Sequence, residues 1–119
     1  MLSVGVDLIE IARVEETLDK YGRRFLDRIY TEQEQHYCNG RVERLAARFA
    51  AKEAVSKALG TGIGDTTWRE IEIINEDNGR PSLLLHGAAQ EIARQQNLHT
   101  WSISMSHTET HAISTVVAM

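Results

Sequence analysis

The chain has 119 residues, of which 42% are hydrophobic and 25% charged; 13 Lys and Arg stand against 17 Asp and Glu, a net charge of −4. That is one domain with one core, residues 1–119, and neither a disordered chain nor, with an acidic balance, a general nucleic-acid binder. No run approaches the about 18 apolar residues of a membrane-spanning helix, and a single cysteine, Cys38, excludes an internal disulfide framework and a Cys-rich zinc site.

In chain order, residues 2–9 are apolar on both faces apart from Ser3 and Asp7, and read as a buried strand. The segment has no basic leader and no small-residue cleavage site, so it reads as part of the fold and not as a signal peptide. Residues 10–21 are helical, with Gly22 ending or bending the helix. Thr31 and Glu34 have capping-box spacing for a short helix over 31–38. The strongest helical pattern spans 41–59, and Gly60 suits its C-terminal cap. A Gly-rich loop over 60–64 follows, then an alternating strand at 69–75, an Asn78-Gly79 turn and a strand at 82–86. Residues 87–97 suit a short helix, and 101–106 and 111–118 a pair of strands. The class is α+β, with a mainly antiparallel sheet packed against a long helix.

Two carboxylates break apolar patterns. With Phe49 of the long helix at 0° and about 100° per residue, Val42, Leu45 and Ala46 fall within about 60° of it, and Glu53 lies inside that stripe at about 40°. A carboxylate on a buried face must be paired, hydrogen-bonded or metal-bound. One reading pairs it with Lys57, four residues on; the other makes it functional. Asp7, inside an apolar strand, is either a backbone-bonded strand-end residue or a second functional carboxylate. Read together, Asp7 and Glu53 offer hard oxygen ligands, which suit Mg²⁺ better than zinc and point to a phosphate-bearing substrate.

The GTGIG loop fits that reading only in part. It lacks the spacing of a P-loop or a dinucleotide fold, and it follows a helix, whose dipole there disfavours an anion. A phosphate at this loop needs cations such as Arg48, Lys52 and Lys57; otherwise the loop is a simple connection. His107, after the 101–106 strand, is either a phosphate donor or a surface residue, and a turn would not hold it with His111 as a metal pair. If the first helix continued through Gly22, Arg13, Lys20 and Arg24 would lie within about 40° of one another, with Val14, Leu18, Tyr21 and Phe25 on a separate apolar stripe. Such a basic stripe is a solvated face or a dock for an acidic protein.

The segments GVDLIEIARV, RFLDRIYTEQE, ARFAAKEAVSKALGTGIG and SISMSHT together resemble the bacterial holo-acyl-carrier-protein synthases, a 4′-phosphopantetheinyl transferase family. The resemblance covers nearly the whole chain in the family's order. It implies transfer of 4′-phosphopantetheine from coenzyme A to a serine of apo-acyl carrier protein, with adenosine 3′,5′-bisphosphate as the other product, in support of fatty acid synthesis. It implies Mg²⁺ on Asp7 and Glu53. Coenzyme A contacts fall on Arg48, Lys57, Gly60, Thr61, Gly62, Gly64 and His107. Carrier docking falls on Arg13, with Arg23, Arg24 and Arg28 matched only approximately because spacing before RFLDR varies. Met105 in SMSHT is a mild departure from the family's terminal motif. On this reading Lys57 stabilises charge on the transferred phosphate, and the base is Glu53 or a water on the metal. The family is trimeric, with active sites between subunits, and a reducing cytoplasm suits the lone cysteine. Two other functions compete: a coenzyme A-binding regulatory module, which would tolerate loss of Asp7 or Glu53, and a Mg²⁺-dependent nucleotide pyrophosphohydrolase, which needs a dense glutamate run that the sequence lacks.

Overall fold

The computed structural model describes residues 1–63 and 66–119. Strand β1 (Ser3–Glu10) runs straight into helix α1 (Ile11–Tyr21). Gly22, at φ 54°, ends α1 and turns the chain into α2 (Arg23–Ile29). Helix α3 (Glu32–Cys38) starts on the expected capping box: the Thr31 hydroxyl accepts from the Glu34 amide, and the Glu34 carboxylate accepts from the Thr31 amide. Helix α4 (Val42–Leu59) ends at Gly60, whose φ of 75° is the left-handed cap. The remaining elements are a 3₁₀ turn (Trp68–Glu70), β2 (Ile71–Asn75), β3 (Pro81–Leu85), α5 (Gly87–Gln95), β4 (Trp101–His107) and β5 (His111–Ala118).

The strands form two antiparallel sheets, β1-β5-β4 and the β2-β3 hairpin. The central strand β5 pairs with β4 across a short turn and with β1 across the length of the chain, so Asp7 lies opposite Ser114, and Ser114 opposite Met105. Helix α4 packs across this sheet. Ser114 Oγ donates to Ala47 O at 2.8 Å, and the Ser3 hydroxyl donates to Ala58 O. At Gly5 the approach leaves no room for a side chain: a Cβ there would overlap Ala54 O and lie 2.8 Å from Ala54 C. One part of the core lies around the C-terminal half of α4, with Val55, Leu59, Ile71, Ile73 and Val116; the other lies between its N-terminal half and α1–α3, with Val14, Phe25, Ile29 and Tyr30. No helix among the described residues is long and apolar enough to cross a membrane.

Three expectations change. β1 is not buried on both faces: Val4, Val6 and Leu8 are exposed, Val4 by 65% and Leu8 by 62%, because α4 covers only the side carrying Ser3, Gly5 and Asp7. α4 is not a one-stripe helix. Its many alanines let neighbours close in from most sides, and the expected stripe is covered only in part: Leu45 and Ala46 are buried, whereas Val42, Phe49 and Glu53 are half-buried. The strand expected at 69–75 begins at Ile71, after the 3₁₀ turn, and Glu72 is buried with its isoleucine neighbours.

Candidate active site

Strand alternation places Asp7 on the face of β1 that meets α4, and α4 presents Glu53 and, one turn on, Lys57. Lys57 does not pair with Glu53. Its ammonium donates to Val6 O at 2.9 Å and to Asp7 Oδ1 at 3.2 Å. Burial, and then the nearby charge of Asp7, raise the Glu53 carboxyl above its ordinary value, with Lys57 pulling the other way. Two neighbouring carboxylates, with no thiolate or imidazole beside them in the ligand set, suit a hard divalent cation. Among the described residues no group of three or more His, Cys, Asp or Glu forms a denser metal cluster.

Arg48 and His107 lie elsewhere. Both line a cleft of about 560 Å³ with Arg44, Asn75, Arg80 and Ser104. Glu53 is five positions on from Arg48, about 140° around the helix, and His107 ends the strand at the far edge of the sheet from β1. Within one chain, the carboxylates and this basic cleft therefore open on different sides. Arg48 is 2% exposed; its guanidinium donates to Asn75 Oδ1, and its Nε has no hydrogen-bond partner among the described residues.

Gly60 and Thr61 close the end of α4, Thr61 N donating to Ser56 O at 3.1 Å. Gly62 follows in the connection, and Gly64 lies outside the described residues. Lys52 cannot serve a phosphate at this loop. It is 0% exposed and donates to Glu34 Oε1 at 2.7 Å and to Trp68 O at 3.0 Å.

Gly22 breaks the helix, so the continuous stripe of Arg13, Lys20 and Arg24 does not form. Instead α1 and α2 leave two adjoining cavities. One, of about 280 Å³, has Ile9, Arg13, Val14, Phe25 and Phe49 in its wall; the next, of about 440 Å³, has Arg24, Arg28 and Trp68, and the two share Thr17 and Phe25. Phe49 and Trp68 stack at 4.8 Å. Ile9 is two residues from Asp7 on the same strand face, and Phe49 is one turn from Glu53, so the groove starts beside the carboxylates. Arg23 is exposed, 3.9 Å from Asp27. Tyr21, expected on the apolar stripe, is exposed as well.

Sequence reading missed the fixed polar network between α3, α4 and β2. Glu34 accepts from Lys52 and, through Oε2, from Ile73 N at 3.0 Å. Glu72 accepts from Thr31 Oγ1 at 2.6 Å and contacts His86 Nε2 at 3.0 Å. The available signal was the place of Lys52 on the helix: Leu45, Val55 and Leu59, at i−7, i+3 and i+7, put it on an apolar face.

A fold with a long helix lying across an antiparallel sheet has known counterparts. Residues 3–116 match the family model of the 4′-phosphopantetheinyl transferase superfamily. The holo-[acyl-carrier-protein] synthase of Herpetosiphon aurantiacus is 46% identical, over 100% of this chain and 99% of the relative; that of Koribacter versatilis is 43% identical, over 98% and 97%. The structure of the Helicobacter pylori holo-[acyl-carrier-protein] synthase in complex with coenzyme A superposes with a TM-score of 0.89 at 32% identity, covering 98% of this chain and 99% of that one. The Neisseria meningitidis synthase has a TM-score of 0.89 at 36% identity, covering 98% and 97%. The chain belongs to the holo-[acyl-carrier-protein] synthase family of that superfamily.

Proposed function

We infer that this protein transfers 4′-phosphopantetheine from coenzyme A to a serine hydroxyl of apo-acyl carrier protein. The observation that carries the reading is the Asp7–Glu53–Lys57 constellation, in a chain aligned end to end with synthases of that name. The regulatory-module and pyrophosphohydrolase readings have no such support.

Asp7 and Glu53 hold Mg²⁺, which when bound neutralises and orients the pyrophosphate of coenzyme A. Lys57, kept at the site by Val6 O and Asp7, places an ammonium where charge develops on the transferred phosphate and the leaving group. The serine oxygen forms the new bond to phosphorus as the bond to adenosine 3′,5′-bisphosphate breaks, and Glu53 or a water beside it is the candidate base for the serine proton. Arg48 and His107 contact the coenzyme from the basic cleft, and Gly60, Thr61, Gly62 and Gly64 complete its loop contacts. Arg13, Arg24 and Arg28 rim the groove that receives the acidic carrier, with Arg23 nearby.

The functional unit is a trimer with each active site between two subunits. Two features support an interface between copies at the site. The carboxylates and the basic cleft face apart within one chain, so one coenzyme reaches both only across an interface. The uncovered side of the sheet, with Val4, Val6, Leu8, Ile113 and Val117, is apolar enough to need a neighbour. The setting is the cytoplasm and the purpose fatty acid synthesis.

The deciding experiment incubates the protein with apo-acyl carrier protein, coenzyme A and Mg²⁺, and reads the intact mass of the carrier. A phosphopantetheine adduct is expected; an unmodified carrier overturns the assignment.

A further inference from the structure

We propose that Tyr37 is a positioning residue for coenzyme A: its ring holds the guanidiniums of Arg44 and Arg48 in the basic cleft. The proposal rests on the reading above that this cleft takes the anionic part of the coenzyme.

Arg44 and Arg48 are one turn apart on α4, where like charges repel. Neither forms an ion pair with a carboxylate among the described residues; Glu43, which also lines the cleft, is not within pairing distance of them. What lies against both is the Tyr37 ring, 4.2 Å from the Arg48 guanidinium carbon and 4.7 Å from that of Arg44. Arg44 Nη1 also donates to Tyr37 O at 2.9 Å. The negative face of an aromatic ring attracts a cation without discharging it. The two guanidiniums thus keep their charge for a ligand, which a carboxylate in the same place would cancel.

The helix that carries the ring is itself fixed. Tyr37 sits in the last turn of α3, three residues after Glu34, whose carboxylate ties that helix to Lys52 of α4 and to the backbone of β2. Tyr37 remains 38% exposed and lines the cleft, so its role is not that of a core residue.

The test measures coenzyme A binding by calorimetry without carrier protein, and coenzyme A kinetics with it, for Tyr37→Phe, Tyr37→Leu and Arg48→Gln. Phenylalanine keeps the π face and should bind within about twofold of the parent. Leucine keeps bulk but not the face; it should weaken binding and raise KM by about three- to tenfold, with kcat held. Wild-type affinity in Tyr37→Leu, beside a weakened Arg48→Gln, overturns the role of Tyr37. Equal losses in Tyr37→Phe and Tyr37→Leu overturn it too, since the ring face would then not be the cause. Unchanged affinity in Arg48→Gln overturns instead the assignment of the cleft to the coenzyme.

Discussion

Lys57 Nζ lies 3.2 Å from Asp7 Oδ1, joining residues 50 positions apart. The contact ties the C-terminal half of α4 to β1 and gathers one cation and two carboxylates in one place. Replacing Asp7 or Glu53 with alanine is expected nearly to abolish carrier modification at limiting Mg²⁺, with the fold intact by circular dichroism. Lys57→Ala should lower kcat with less effect on the Mg²⁺ requirement. Near-normal rates in either carboxylate variant, measured by carrier mass against time, would remove that residue from the cation site.

Gly5→Ala probes the approach of β1 to α4. The added methyl would meet Ala54 O and the Ala58 amide, both backbone, so the strand must move. Overpacking of this kind costs about 1–3 kcal/mol or more. Asp7 is two residues on, so activity should fall further than folded protein does. Wild-type stability in a urea titration would refute the close approach.

The Lys52–Glu34 pair is fully buried. Removing one partner leaves an uncompensated charge, so Lys52→Met should cost about 3–5 kcal/mol. Combined with Glu34→Gln, the loss should fall short of the sum of the single losses by about 0.5–3 kcal/mol. Denaturant unfolding of the three variants checks this, and strict additivity would refute the coupling.

Glu72 sets an acid-side limit on stability. Burial alone would raise its carboxyl, but hydrogen bonds from Thr31 and His86 outweigh it and hold the group below the usual carboxylate range. A depressed carboxylate stabilises the fold above its unfolded value of about 4.3, and that contribution is lost as pH falls through the lower folded value. Glu72→Gln should therefore unfold more readily at neutral pH and lose less on acidification than the parent. Parallel pH–stability curves from thermal melts would count against this.

For the carrier, Arg13→Glu and Arg24→Glu should each raise KM for the protein substrate several-fold, leave the KM for coenzyme A unchanged, and flatten the salt dependence. An unaltered KM for the carrier would return the groove rim to ordinary solvated surface.

Much of this was legible in local sequence. The order of helices and strands, the Thr31–Glu34 capping box, the Gly60 cap and the β4-β5 pairing all rest on neighbours a few residues apart. Asp7 and Glu53 stood out because each broke an apolar pattern. Partners across long separations had no local signal. Glu53 has a favourably spaced lysine four residues on, yet Lys57 turns to Asp7. Lys52 looked like a free cation and is locked to Glu34 instead, and the apolar face of β1 looked buried but is uncovered within one chain.

Alone, the sequence determined the element types, the residue classes at the site and the membership of a family, since periodicity, caps and motif order are properties of the chain itself. The tertiary structure alone decided which charges meet, and that the carboxylates and the basic cleft open on different sides of α4. The physical reason is that a charge's partner is set by how helices and strands pack, and packing brings together residues whose separation along the chain carries no period.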